Sequence, residues 1–211
     1  MNAKSEQSLE EAAPERARLA PDAREVLDFW FGAPGSAEYG GDRALWFSQS
    51  DEIDAVIRSR FLAMHERAMA GECDAWAITP LGACALIVLL DQFSRNLYRG
   101  TARAFASDAR ALEVALTLLG SAEDRCLPTP YHRWFVYLPF EHDESVHGQR
   151  ESLRLFEVLK SETGLSAPLT WARKHAEVIT RFGRYPHRNA ILGRVSSVEE
   201  EAFLREPGSS F

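Results

Sequence analysis

The sequence predicts an all-α protein of about eight helices, and three observations carry that expectation. Apolar residues recur three and four positions apart in one segment after another, and nowhere do several alternating strand patterns occur together. Glycines stand where these segments stop, at Gly32, Gly71, Gly100, Gly120 and Gly193. Segment starts carry Ser or Thr caps, proline at the first helical position, or a capping box, as at Ser50, Thr79–Pro80, Ser107 and Ser197–Glu200. Short loops between successive helices imply stacked antiparallel pairs, although no clean 34-residue repeat is visible.

Taken in order, residues 1–20 are rich in Ala, Glu and Arg and read as a flexible or frayed lead-in to a single domain over 21–211. Asp22–Phe31 is a short helix with an aromatic load, Val26, Leu27, Phe29, Trp30 and Phe31. After a Gly- and Pro-rich loop, Ser50 caps a helix from Asp51 to about Ala70, with Ile53, Ile57, Phe61, Met64 and Ala68 on its inner face. Thr79–Pro80 opens the central helix, which runs to Gly100. Its stripe is Leu86, Leu89, Leu90, Phe93 and Leu97; its other side changes from Ile87 and Val88 to Asp91, Gln92, Arg95, Asn96 and Arg99. Such a helix is central, and its polar half lines a cleft or enters a buried network. Ser107 caps a helix to Leu119. An aromatic turn at Tyr131–Leu138 is interrupted by Pro139. A long helix follows from about Asp143 to Ser161, with Val146, Leu153, Phe156 and Leu159 inward, then one from Pro168 to Phe182. His187–Leu192 reads as a helical turn, and a last helix after Ser197 stops at Pro207. The five tryptophans are assigned to the core.

Composition bounds the function. A net charge of −7 argues against a nucleic-acid binder, since phosphate binding needs a basic surface. The longest apolar run, Ala83–Leu90, is far too short to span a bilayer, so no membrane partner is expected. Three unpaired cysteines and the lack of a signal peptide point to the cytoplasm. No nucleophile elbow, phosphate loop, dinucleotide fingerprint or zinc motif occurs, so no cofactor or metal is implied and no reaction is named.

Several motifs are distinctive: Val26–Gly32 (VLDFWFG), Leu90–Asn96 (LDQFSRN), Tyr98–Thr101 (YRGT), Tyr137–His142 (YLPFEH) and Arg181–Asn189 (RFGRYPHRN). With them the chain resembles, from about residue 22 to 206, a bacterial family known as domain of unknown function 924. Ser94 departs from it, because the family usually carries proline there; without proline a continuous helix through this point is expected. The resemblance implies a tetratricopeptide-like all-helical fold and no activity.

The candidate site therefore comes from the residues. Asp91 and Arg95, Arg95 and Arg99, and Gln92 and Asn96 lie four apart, so each pair shares a helix face. Arg95 and Arg99 offer planar forks for carboxylate or phosphate, with Asp91 fixing Arg95 and the amides orienting a ligand. A basic segment, Arg173 to Arg194, contains His187, Arg188 and Asn189. Its Arg188–Asn189 before Gly193 echoes Arg95–Asn96 before Gly100. Glu141 and His142, just after Pro139, are the candidate catalytic acid/base pair, since His titrates near neutrality. Glu144 and His147 share a helix face at a metal-ligand spacing that has no second copy. The reading that follows is a small anionic ligand in one polar pocket. The alternatives are a scaffold binding an acidic peptide in an open groove, and a purely structural network.

Overall fold

The computed structural model describes residues 12–209, and no strand occurs among them. Of the expected lead-in, residues 1–11 lie outside the described residues, whereas residues 12–18 form a helix, α1. It is tethered: Arg16 pairs with Asp28, and Glu15 accepts the Leu81 N–H at 2.7 Å, serving an open donor at the start of the central helix.

Helix α2, Pro21–Phe31, buries Val26, Leu27, Trp30 and Phe31. Helix α3, Asp51–Met69, is capped by Ser50 and buries Ile57, Phe61, Met64 and Ala68, while Ile53 stays half-buried. The Trp30, Phe61 and Phe135 rings close on Phe93, or on one another through Trp30, with centroids 4.7–5.5 Å apart. That aromatic cluster joins α2 and α3 to the central helix.

The central helix differs from the expected continuous α-helix. Its α-helical start, α4 (Pro80–Ile87), passes into a π-helical turn, Val88–Gln92, and then into α5, Phe93–Leu97. The Phe93 N–H bonds the Val88 carbonyl five residues back. Two nearby carbonyls are taken by side chains instead: Ser107 Oγ donates to Leu90 O at 2.6 Å and Arg95 Nη1 to Asp91 O at 2.7 Å. The polar half is also less open than its pattern suggests. Every residue from Leu81 to Ser94 is buried, because α2 and the later helices α6 (Asp108–Gly120) and α7 (Pro130–His142) all pack on α4.

Three further boundaries move. Ser107 does not cap α6 (Asp108–Gly120), since its hydroxyl serves Leu90 O. Pro139 does not interrupt α7, which runs from Pro130 to His142. Proline removes one hydrogen bond near the helix end, and residues 132–141 are all buried, so packing decides. Helix α8 begins later than expected, at Val146, and ends at Thr163; Ser145 caps it by accepting the Gly148 N–H at 2.9 Å. As the first helical residue Val146 points outward, 48% exposed. Helix α9, Ala167–Phe182, packs on α8, which also packs on α7. The turn after α9 is 3-10 helical over Pro186–Arg188 only, and α10, Val198–Leu204, carries the expected capping box. Trp171 leaves the core assignment: it is 45% exposed with Lys174 over its ring. No helix among the described residues is long and apolar enough to cross a membrane.

Candidate functional site

The π turn carries Asp91 to the centre of the molecule, where a lone carboxylate would be intolerable. Three side chains surround it. His142 Nδ1 lies 2.7 Å from Oδ1, Gln92 Nε2 donates to Oδ2 at 2.6 Å, and Arg95 Nη1 is 3.2 Å from Oδ1. Burial raises the acid's pKa, but the charge of Arg95, with the hydrogen bonds from His142 and Gln92, outweighs it and holds Asp91 well below the usual carboxylate range. Asp91 therefore stays ionised and accepts from His142 Nδ1–H, which fixes the tautomer. Nε2 is then the basic nitrogen and has no hydrogen-bond partner among the described residues. Burial, then the nearby Arg95 charge, lower the His142 pKa, so the ring is neutral at pH 7.

The Arg95 fork also binds Asp108 at the start of α6, at 2.9 and 3.1 Å. Arg188 approaches the same carboxylate from the C-terminal segment: its Nη1 is 3.6 Å from Asp108 Oδ2 and donates to His142 O at 3.1 Å. Its guanidinium carbon is 4.6 Å from the ring centroids of both Phe105 and Tyr185. Arg188 is nearly buried, and its Nε has no hydrogen-bond partner among the described residues. Burial, then Arg95, lower its pKa. Of the two cations on Asp108, Arg188 is the less compensated.

A cleft of about 520 Å³ opens over this cluster. Its polar end is formed by Asp108, His142, Asp143, Glu144 and Arg188, its apolar wall by Phe105, Ala109, Leu112, Leu116, Pro139 and Leu192. Arg188 is the single Arg or Lys among the lining residues. Glu144 is neutralised by Arg194 at 2.6 and 2.9 Å and also accepts the Tyr185 N–H at 2.6 Å. Burial raises the Glu144 pKa, but these bonds outweigh it and the net shift is downward.

The expected constellation thus assembles in part. Arg95 and Arg188, from segments that echo each other in sequence, meet on Asp108. The rest of the echo diverges. Asn96 donates to Asp54 on α3 at 2.8 Å, and Arg99 binds the same carboxylate at 2.7 and 2.9 Å. Arg95 and Arg99, adjacent in register, consequently serve different acids. Gln92 is a buried brace on Asp91, and Asn189 donates to Ser196 at 3.0 Å within its own loop. His187 stacks on Tyr185, and burial lowers its pKa to about 4.

Glu141 and His142 part company. Only His142 lines the cleft. Glu141 points toward α9, with Oε1 3.3 Å from His175 Nδ1 and a buried Oε2 that has no hydrogen-bond partner among the described residues. Burial, then the Asp91 charge, push its pKa well above the usual value, and it is a neutral acid. Burial lowers the His175 pKa to about 3.

Asp108 is the residue that pattern reading missed. Its position after Ser107 marks a helix start, and only the tertiary fold brings Arg95 and Arg188 to it. Tyr185 was missed likewise; its hydroxyl and Gln149 Nε2, 2.9 Å apart, cap the C-terminal carbonyls of α7.

Among solved structures, a protein of unknown function from Agrobacterium tumefaciens is similar to this chain, with a TM-score of 0.76 and 33% identity, covering 87% of this chain and 96% of that one. No curated protein matches significantly. The family model described as bacterial protein of unknown function, domain of unknown function 924, matches residues 26–208, and the chain belongs to that family.

Proposed function

We infer that the cleft beside His142 binds a small molecule through an anionic group held at Arg188, and that His142 is the acid/base residue if the bound molecule reacts. The observation that carries this reading is the Asp91–His142 bond of 2.7 Å beneath a cleft whose one lining cation is Arg188. An ionised Asp91 behind Nδ1 orients the ring and supports positive charge on it when Nε2 takes a proton. The Arg188 fork suits a planar carboxylate better than a point charge would. The cleft volume of about 520 Å³ falls in the range of small-molecule sites and favours such a ligand over a peptide. Glu141 serves as a buried neutral acid behind the site rather than as a reacting group.

Thermal unfolding in the presence of acetate, benzoate, succinate and phosphate tests the reading. A ligand at 100 times its Kd stabilises by about 2.7 kcal/mol, which raises the melting temperature measurably. The wild-type chain and Arg99→Met respond to at least one carboxylate, while Arg188→Met and Arg188→Lys lose that response. A wild-type chain that no anion stabilises, or an Arg188→Lys chain that responds like wild type, overturns it.

A further inference from the structure

We propose that the ligand is a monocarboxylate with a linear apolar tail, its head at Arg188 and its tail along α6; this rests on the anion reading of the cleft. Ala109, Leu112 and Leu116 recur on α6 at spacings of three and four, so they form one stripe, and Phe105 from the 3-10 turn before α6 lines the same cleft. That stripe faces solvent: Leu116 is 53% exposed, Ala109 is exposed, and Phe105 and Leu112 are half-buried. Pro139 and Leu192 complete the apolar wall across the cleft. An apolar strip ending at a partly compensated arginine matches a molecule that is apolar along its length and anionic at one end. From Asp108 to Leu116 is eight residues, roughly 12 Å at the helical rise, which sets the tail that the strip covers.

Charge selects against other classes. Besides Arg188 the lining carries Asp108, Glu113, Asp143 and Glu144. Asp108 is neutralised by Arg95 and Glu144 by Arg194, whereas Glu113, on α6 beside the tail strip, and Asp143, which accepts from Ser145 at the polar end, have no salt bridge among the described residues. A second negative charge along the tail, or a dianionic phosphate head, meets that acidic margin with one arginine to oppose it. A single carboxylate brings one charge, placed at the arginine itself.

Calorimetric titration with acetate, butanoate, hexanoate, octanoate and decanoate, each below its self-association threshold, is the test. Affinity rises roughly two- to fourfold per added methylene and then levels off where the tail passes Leu116. Octylamine and octyl phosphate bind more weakly than octanoate. Leu116→Asp, at an exposed position where folding is insensitive, flattens the gradient for the longer tails and leaves acetate unchanged. Affinity independent of tail length, an unchanged gradient in Leu116→Asp, or tighter binding of octyl phosphate overturns the tail assignment. If acetate binds through Arg188 but the gradient is absent, the tail falls and the anion site stands; if no carboxylate of any length binds, both fall.

Discussion

Asp108 governs what Arg95 and Arg188 do. One carboxylate holds both guanidinium groups, at 2.9 Å from Arg95 and 3.6 Å from Arg188, and the shorter contact leaves Arg188 the freer of the two. Removing Arg95 strips both Asp91 and Asp108 of their principal cation. Arg95→Met is therefore expected to cost about 3 kcal/mol in urea unfolding, the scale for orphaning a buried charge. A loss within 0.5 kcal/mol of wild type shows that the cluster is solvated in a way its geometry does not suggest. Glu141 gives a prediction of opposite character. Its native pKa is raised, so the native state keeps the acid neutral where the unfolded chain ionises it, and stability is lost as pH rises above the unfolded value of 4.5. The neutral isostere Glu141→Gln escapes that loss. Its stability relative to wild type should be higher at pH 7.5 than at pH 4, by comparison of urea midpoints; a difference that does not change with pH removes Glu141 as a buried neutral acid. At this scale the sequence named most of the participants but not their partners. Helical spacing links Asp91 to Arg95, whereas Asp108, Asp54 and Glu144 are joined to their arginines across 13 to 50 positions.

The central helix works because its irregularity is satisfied. At the π turn, Leu90 O accepts from Ser107 Oγ, which also lies 2.6 Å from Ser94 Oγ, itself 2.6 Å from His65 Nε2. Ser107→Ala leaves a buried carbonyl without its donor, at about 1–3 kcal/mol in chemical unfolding. A neutral result shows that Leu90 O has another partner. The same geometry would accommodate a proline at position 94. Proline there has no N–H to offer Leu90 O, which already accepts from the Ser107 hydroxyl. Gly82 belongs to this scale too. In a helix Gly→Ala ordinarily stabilises, yet a Cβ at Gly82 overlaps the Trp76 carbonyl where the preceding 3-10 turn crosses α4. Gly82→Ala should lower the melting temperature, while Gly120→Ala, which meets open space, should not. Caps and glycine stops made most elements legible in sequence. The π turn was not, because an apolar run buried on every side has no period to break, and Pro139 misled because its local cost is overridden by tertiary burial.

Across the whole molecule, buried histidines set the acid limit. Burial lowers the pKa of His65 to about 4, His132 to about 3, His175 to about 3 and His187 to about 4, each from an ordinary 6.5. The unfolded chain takes up these protons first, so stability declines as pH falls from 6.5 toward 4, and a flat profile across that window contradicts neutral burial of these rings. The all-α class was legible from spacing, caps and glycines together, because short-range signals agree with the fold throughout. The cleft was legible only as two half-signals, one on either side of Asp108, since no local pattern encodes which helix end meets which. The most direct measurement on the central claim is the imidazole resonance of His142 by nitrogen-edited NMR during titration with octanoate. The expected result is a neutral ring protonated at Nδ1, with an Nε2 resonance that moves in wild type and in Arg99→Met but not in Arg188→Lys. An Nε2 resonance that no carboxylate moves in the folded wild-type chain would contradict it.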